Sequence, residues 1–414
     1  MRGAGVVALA LGLLVALGLG ELVARLAADL SPRVAYLATA SMPPSERRFS
    51  RLQDYLASKI IVAIPHRNWF NYWTNAVGMN DEEFAVPKPP GRFRIMAVGD
   101  SFTYGLVPYP YATMTVVESL VRSACGDKDL DLLNLGIAGT EVSEYRTLVT
   151  LALATYEPDL VLVNLYAGDD VPDPFRDGSS RPGIQELASY SYLWSLAASV
   201  VKVKRAVKGR APSGLHGGAP PGVTPHGGAV VDPTLVLRDD DPALIGPFFT
   251  ERAYTTVLAK QLRRLYVPPR PERLDSAWSS LYADIDGIRS LVGERGGRLV
   301  LALFPSEIQV YPRMREALIP TLRQQALYSA LSPQDVDPRL PNKRLAAYCE
   351  SRDLPCIDVT DALVVASQSS DEPLYKKRDG HWNIRGNRVA AEAEARILAG
   401  LVCPDAASGK SPRP

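Results

Sequence analysis

Histidine is scarce in this chain, with four in 414 residues. Cysteine is equally scarce: Cys125, Cys349, Cys356 and Cys403, with no CxxC pair and no metal-ligand spacing to histidine. A zinc site is not expected from that pattern, since zinc draws on close Cys and His pairs. A surplus of one charge is also missing. Against 46 basic residues stand 45 acidic ones, the formal net charge is +1, and no Lys/Arg block or aromatic ladder occurs. Nothing in that balance predicts a nucleic-acid partner. No internal repeat is visible. The triplet Gly409-Lys410-Ser411 lacks the first glycine of a phosphate loop, because position 404 is Pro404, and it is rejected as one.

What the chain does have is one long uncharged run, "AGVVALALGLLVALGLG", from Ala4 to Gly20. A spanning helix needs ~20 apolar residues, with a lower limit of ~17. No small-x-small cleavage site follows, and "ELVARLAADL" continues with helical character. Residues 1–30 therefore read as an uncleaved signal anchor rather than a cleaved signal peptide. Gly18 and Gly20 fall inside this run and form no dinucleotide loop. Arg2 favours an inside N-terminus, although Arg25 and Arg33 weaken the bias. The expectation is a single-pass membrane protein with its main domain periplasmic or extracellular, where cysteines can oxidise. Cys349 and Cys356 flank a turn and can close a short loop. Four unpaired, partly buried thiols are the other reading.

Residues 31–90 form an aromatic-rich, membrane-proximal lead-in that ends in "AVPKPPG". From 91 to 403 apolar runs alternate with helical patterns. "FRIMAVGD", "LDLLNLG", "DLVLVNLYAG", "RLVLALFP" and "CIDVTDAL" read as strands, with amphipathic helices between them. Near-continuous apolar strands alternating with helices predict an α/β fold with a five-stranded parallel sheet covered on both faces. An insertion at 172–271 interrupts the alternation after the third strand. It carries the aromatic segment "YSYLWSL", read first as packing on the sheet edge, with a lid, a substrate platform or a membrane-skimming surface as other uses. A Gly/Pro-rich loop at 209–233 and a tail at 404–414 have too little apolar content to pack.

The chemistry centres on "GDSFTYG", Gly99 to Gly105. Taken alone, Ser101 reads first as a helix cap and only second as a nucleophile. A serine nucleophile needs a base within hydrogen-bond reach. His216 and His226 lie in the Gly/Pro tract and His66 in the lead-in, which leaves His381 in "RDGHWNIRGN". Ser101 follows the first strand and His381 the fifth, so both belong to the carboxyl edge of the sheet, where open α/β folds gather ligands. Asp379, two residues before His381, is the candidate to orient the imidazole.

The blocks "GDSFTYG", "NLGIAGT", "AGDD" and "DGHWN" come in the order and spacing of the four motifs of the SGNH/GDSL hydrolase superfamily, which this chain resembles over roughly residues 70–400. The lead-in "TNAVGMNDEEF" looks like that of the family's membrane-anchored bacterial branch. The resemblance implies a three-layer α/β/α flavodoxin-like fold, Ser101 as nucleophile, His381 as general base, and an oxyanion hole built from the N–H groups of Ser101 and Gly139. It also makes a Cys125–Cys403 disulfide plausible.

Two departures stand out. The family's usual acid, three residues before the histidine, is here Arg378, while Asp379-Gly380-His381-Trp382 is similar to the Asp-x-His-Trp form of alginate-type O-acetyltransferases. The third block reads Gly168-Asp169-Asp170, so Asp169 stands where an Asn amide would join the oxyanion hole. An ionised carboxylate cannot donate, and losing one such donor costs ~10²–10³ in turnover. Asp169 would serve there only if burial and Asp170 kept it protonated. Asp170 reads equally as a turn residue, Asn134 as a loop support, and Trp382 as a pocket wall or a prop under the triad.

The resulting expectation is an esterase or acyl transferase acting on ester-linked groups, O-acetyl first among them, of a cell-envelope or extracellular carbohydrate, without metal or organic cofactor. Its partners would be an acyl-ester or glycan substrate, the membrane, and membrane-bound glycan-modification proteins. The alternative is a catalytically impaired glycan-binding or assembly factor that keeps the fold, favoured by Asp169.

Overall fold

The structure is a computed structural model. It describes residues 2–31, 34, 51–58, 68–69, 72–126, 129–173, 191–194, 196–197, 247–266 and 271–404. The Gly/Pro-rich loop at 209–233, the three histidines outside "DGHWN", and the tail beyond residue 404 lie outside the described residues. The chain divides into two compact units, one of residues 1–63 with 177–209 and one of residues 64–176 with 210–414.

In the first unit helix α1 runs from Arg2 to Leu30, and its stretch Leu11–Leu30 is long and apolar enough to cross a membrane, with a mean hydropathy of 1.8. A short helix, α2 (Leu52–Ser58), follows. The aromatic segment of the insertion, expected on the sheet edge, has its described part in this unit. The Glu21 carboxylate accepts hydrogen bonds from Ser191 Oγ and from the N–H groups of Tyr192 and Leu193, and the Arg25 guanidinium covers the Tyr192 ring.

The second unit opens with a two-residue antiparallel pair, β1 (Asn68–Trp69) and β2 (Tyr72–Trp73). Its main sheet consists of β3 (Phe93–Gly99), β4 (Leu130–Gly136), β5 (Leu160–Tyr166), β6 (Arg298–Phe304) and β7 (Cys356–Asp358), in the order β4-β3-β5-β6-β7. Every pairing is parallel. Side chains alternate between faces along each strand. Ile95, Ala97, Leu130, Leu132, Leu160, Leu162, Val300 and Ala302 share one buried cluster with residues of α4 (Thr113–Ala124) and α12 (Ile384–Val402). Helices α5 (Val142–Tyr156) and α7 (Pro271–Gly293) pack on each other and on β3 and β6 respectively. The result is the expected α/β architecture with a five-stranded parallel sheet.

Disulfides join Cys125 to Cys403, at the ends of α4 and α12, and Cys349 to Cys356. Buried Arg94 ties the opposite ends of the strands: its guanidinium grips Asp131 of β4 and donates to the carbonyls of Tyr156 and Ala85. The helix expected around "ERAYTTVLAKQLRRLY" is α6 (Glu251–Arg264), whereas α8 (Glu307–Val310), α9 (Pro312–Arg323), and α11 (Thr360–Ser369), where the fifth strand had been drawn longer, were not foreseen. The strand stops at Asp358 because its carboxylate accepts the Thr360 N–H and turns the chain into α11.

Candidate active site

At the carboxyl end of β3 the chain turns at once into α3 (Ser101–Tyr104). The cap of that helix is Asp100, whose carboxylate accepts the Phe102 N–H at 2.9 Å. Ser101 is thus released from capping and takes the first helical position, where its own N–H has no intrahelical acceptor. The turn is tight because glycine ends both flanking strands. A Cβ on Gly99 would lie 2.0 Å from Thr103 Oγ1, and one on Gly136 would lie 2.2 Å from the Tyr104 nitrogen. Burial pushes the Asp100 carboxyl up to about 7, against the pull of the Phe102 hydrogen bond and of nearby His381.

The loop that enters α12 brings the second group. Ser101 Oγ and His381 Nε2 are 2.7 Å apart. On the far side of the ring, Nδ1 lies 3.2 Å from Asp379 Oδ1, off the line of a well-formed hydrogen bond. Burial opposes charge on Asp379, yet His381 and Lys376 outweigh it and hold the carboxyl below its usual range. Trp382 is a prop: fully buried, it meets the Phe102 ring edge-on at 4.9 Å and Phe304 at 4.9 Å. Phe102 itself stacks on Tyr166 at 4.0 Å, so an aromatic layer underlies the Ser–His pair.

Gly139 stands in the turn after β4 with φ +77°, a conformation that L side chains avoid. No other atom occupies the space where its Cβ would be, and Thr140 fastens the turn by donating to the Ile137 carbonyl. Asn134 supports the loops as expected. Its amide donates to the carbonyls of Asn80 and Tyr104, while its oxygen accepts the Gly136 N–H.

The third block differs from the expectation. The Asp169 side chain is 75% exposed, and its Oδ1 pairs with Arg264 Nη2 at 3.1 Å. The burial on which a protonated oxyanion donor depends is absent. Asp170 holds the turn instead: buried, it accepts the Tyr145 hydroxyl at 2.9 Å and the Tyr166 N–H at 2.8 Å. Burial, with Asp100 nearby, drives the Asp170 carboxyl well above its usual range.

Four further residues escaped sequence reasoning. Asn80 donates to the carbonyls of Tyr104 and Gly105 and so braces the end of α3. It sits in the quoted lead-in "GMNDEEF", the one signal that pointed at it. Arg264, at the end of α6, grips the Val171 carbonyl as well as Asp169. Buried Lys376 stands 3.9 Å from Asp379 Oδ2. Glu307 accepts the Tyr254 hydroxyl, and burial together with the charge on Asp379 pushes it up to about 8. No spacing rule marks these last three. Among the described residues no cluster of His, Cys, Asp and Glu is arranged to hold a metal ion.

No protein-family model matches the chain, and no curated protein does. Solved structures do. A member of the lipolytic protein G-D-S-L family from Veillonella parvula is 14% identical over 74% of this chain and 98% of its own, with a TM-score of 0.36. A putative lipolytic protein of the same family from Desulfitobacterium hafniense is 13% identical over 74% and 100%, with a TM-score of 0.34. An acetylxylan esterase from Geobacillus stearothermophilus, solved as a catalytic mutant, is 11% identical over 74% and 94%, with a TM-score of 0.36. The chain is similar to these proteins in fold, and the roles of its residues rest on its own geometry.

Proposed function

We propose that this protein is a serine esterase or acyl transferase of the SGNH type. The observation that carries the reading is the line Ser101 Oγ, His381 Nε2, His381 Nδ1, Asp379 Oδ1, with gaps of 2.7 and 3.2 Å, at the carboxyl edge of the sheet. In this reading His381 takes the Ser101 proton as Oγ attacks the ester carbonyl, then returns it to the leaving alcohol. Asp379 fixes the imidazole tautomer and stabilises the imidazolium. The oxyanion meets the N–H groups of Ser101 and Gly139. A second acceptor, water or a sugar hydroxyl, then attacks the acyl-serine, which separates esterase from O-acyltransferase.

The substrate class we favour is an O-acetylated carbohydrate of the cell envelope, with the domain outside the cytoplasm. Support comes from the candidate spanning helix and from the Asp-x-His-Trp spacing. Membrane-bound glycan-modification proteins are the partners this reading implies. A binding or assembly role is the second reading, favoured by the Asp169–Arg264 pair, which leaves the hole without a third donor.

The test is fluorophosphonate labelling and acetyl-ester turnover by the full chain in detergent between pH 4 and 8. We expect labelling that vanishes in Ser101→Ala and turnover that falls at least ~10³-fold, the scale of losing a triad member. A folded wild-type protein that neither labels nor turns over ester at any pH moves the second reading ahead.

A further inference from the structure

Lys376 is an unusual place for a lysine. Its side chain is 3% exposed, and a buried ammonium is costly unless charge and hydrogen bonds surround it. Its surroundings answer that cost from three directions. The ammonium donates to the carbonyl of Leu106, in the loop that follows the Ser101 helix. It stands 3.9 Å from Asp379 Oδ2, the oxygen not turned to His381. The Phe248 ring covers it at 5.3 Å. The backbone repeats the link, since the Lys376 N–H donates to the His381 carbonyl at 2.8 Å and the Asp379 N–H to the Lys376 carbonyl.

We infer that Lys376 is a positioning residue of the triad, which ties the serine loop to the histidine loop and balances the charge of Asp379. The inference rests on the triad reading above. The titratable groups around this cluster are Asp379, with His381 beyond it, Glu307, which accepts the Tyr254 hydroxyl from α6, and Asp100, whose carboxyl feels the charge of His381. Glu307 and Asp379 are close enough for the charge of one to oppose the other. Lys376 is the cation beside Asp379. It keeps Asp379 ionised and aimed, so that the imidazolium formed during acyl transfer has its counter-charge in place. Without it, Asp379 loses its neighbouring cation and takes a proton at higher pH.

The experiment compares wild type, Lys376→Met, Lys376→Gln and Lys376→Arg as full chains in detergent. First, fluorophosphonate labelling rates are measured from pH 4 to 9. Removing the charge is expected to slow labelling roughly 10–100-fold at pH 7, a part of the ~10²–10⁴ that a general base contributes. The acid limb of the profile is expected to move up by about one pH unit, because Asp379 without the neighbouring ammonium takes a proton more readily. Lys376→Arg keeps the wild-type limb. Second, melting temperatures at pH 7 are taken around the cycle of Lys376→Met, Asp379→Asn and the double variant, with Lys376→Gln as the replacement if the Met variant does not fold. Non-additive losses support the tie between the two side chains.

An equal slowing at every pH with an unmoved limb overturns the inference, because it is the signature of a lysine that only braces Leu106. Additive losses around the melting cycle overturn it too. A wild type that never labels defeats the esterase reading instead, and the melting cycle then decides the Lys376–Asp379 tie by itself.

Discussion

In the esterase reading proposed above, Asp169 is the residue at which the site would depart most from a conventional oxyanion hole, and its geometry changes what that departure would cost. A bare carboxylate would repel the developing oxyanion. Here the charge is answered by Arg264, which reaches Oδ1 at 3.1 Å and also donates to the Asp169 and Val171 carbonyls. With the side chain three-quarters exposed, solvent screens what remains. Asp169→Asn is therefore expected to raise acetyl-ester kcat/KM by less than about tenfold, well short of the ~10²–10³ of a full donor. A hundredfold gain at neutral pH would mean that the Asp169 charge itself throttles the site. At this scale the sequence was most informative where a residue type is rare. Four histidines, three of them in unpromising segments, were enough to single out His381, whose Nε2 lies 2.7 Å from Ser101 Oγ. It was least informative where a common residue acts by position. Nothing distinguishes Lys376 from Lys377 until the fold buries one of them.

Among the elements, the turn from β3 into α3 carries the most consequence. Apolar runs ending in glycine announced both β3 and β4. The reason for the glycines is steric: backbone and Thr103 of α3 fill the space a methyl group would need. Gly99→Ala would place its Cβ 2.0 Å from Thr103 Oγ1 and 2.9 Å from the Asn164 carbonyl. Overpacking of this kind costs ~1–3 kcal/mol, and the shift would carry Ser101 away from His381. The expected result is a lower urea midpoint together with loss of fluorophosphonate labelling, while retained labelling at wild-type rate would show that the turn yields without moving the serine. Strands β3 to β6 were legible because each is a near-continuous apolar run buried along almost its whole length, whereas β7 is three residues ending in an exposed Asp358 and was drawn too long. Helices α8 and α9 were not, because one is a four-residue turn and the other starts at Pro312 and contains Pro320. Their boundaries are set by tertiary partners. Gln309, for example, spans from the Ser306 N–H to the Pro338 carbonyl and the Asn342 side chain.

For the whole molecule, the buried acids set how stability follows pH. Glu394, fully buried on α12, finds no hydrogen-bond partner for either oxygen among the described residues, and burial alone pushes it up to about 8. Glu307 is pushed up to about 8 and Asp100 to about 7. In the unfolded chain the same groups lose their protons near 4.5 and 3.8. Between those limits the folded state holds more protons than the unfolded one, so stability falls as pH rises. Asp379, held below its usual range, works the other way, but its contribution is complete above pH ~3.8 and adds no slope beyond that point. Lys376, pushed down to about 8 by burial, adds stability only as pH climbs from there toward 10.5. The melting temperature of the full chain in detergent is thus expected to decline from about pH 5 to about pH 8. Glu394→Gln keeps the shape of the side chain and removes its proton. The variant should melt close to wild type at pH 4–5 and pull ahead of it by a few degrees at pH 8, where wild type has to shelter a proton or bury a charge. A constant difference across that range would mean that Glu394 has access to water or a partner in the folded protein, and the decline would then have to come from the other buried acids, Glu307, Asp100, Asp170, Asp81 and Glu118 among them.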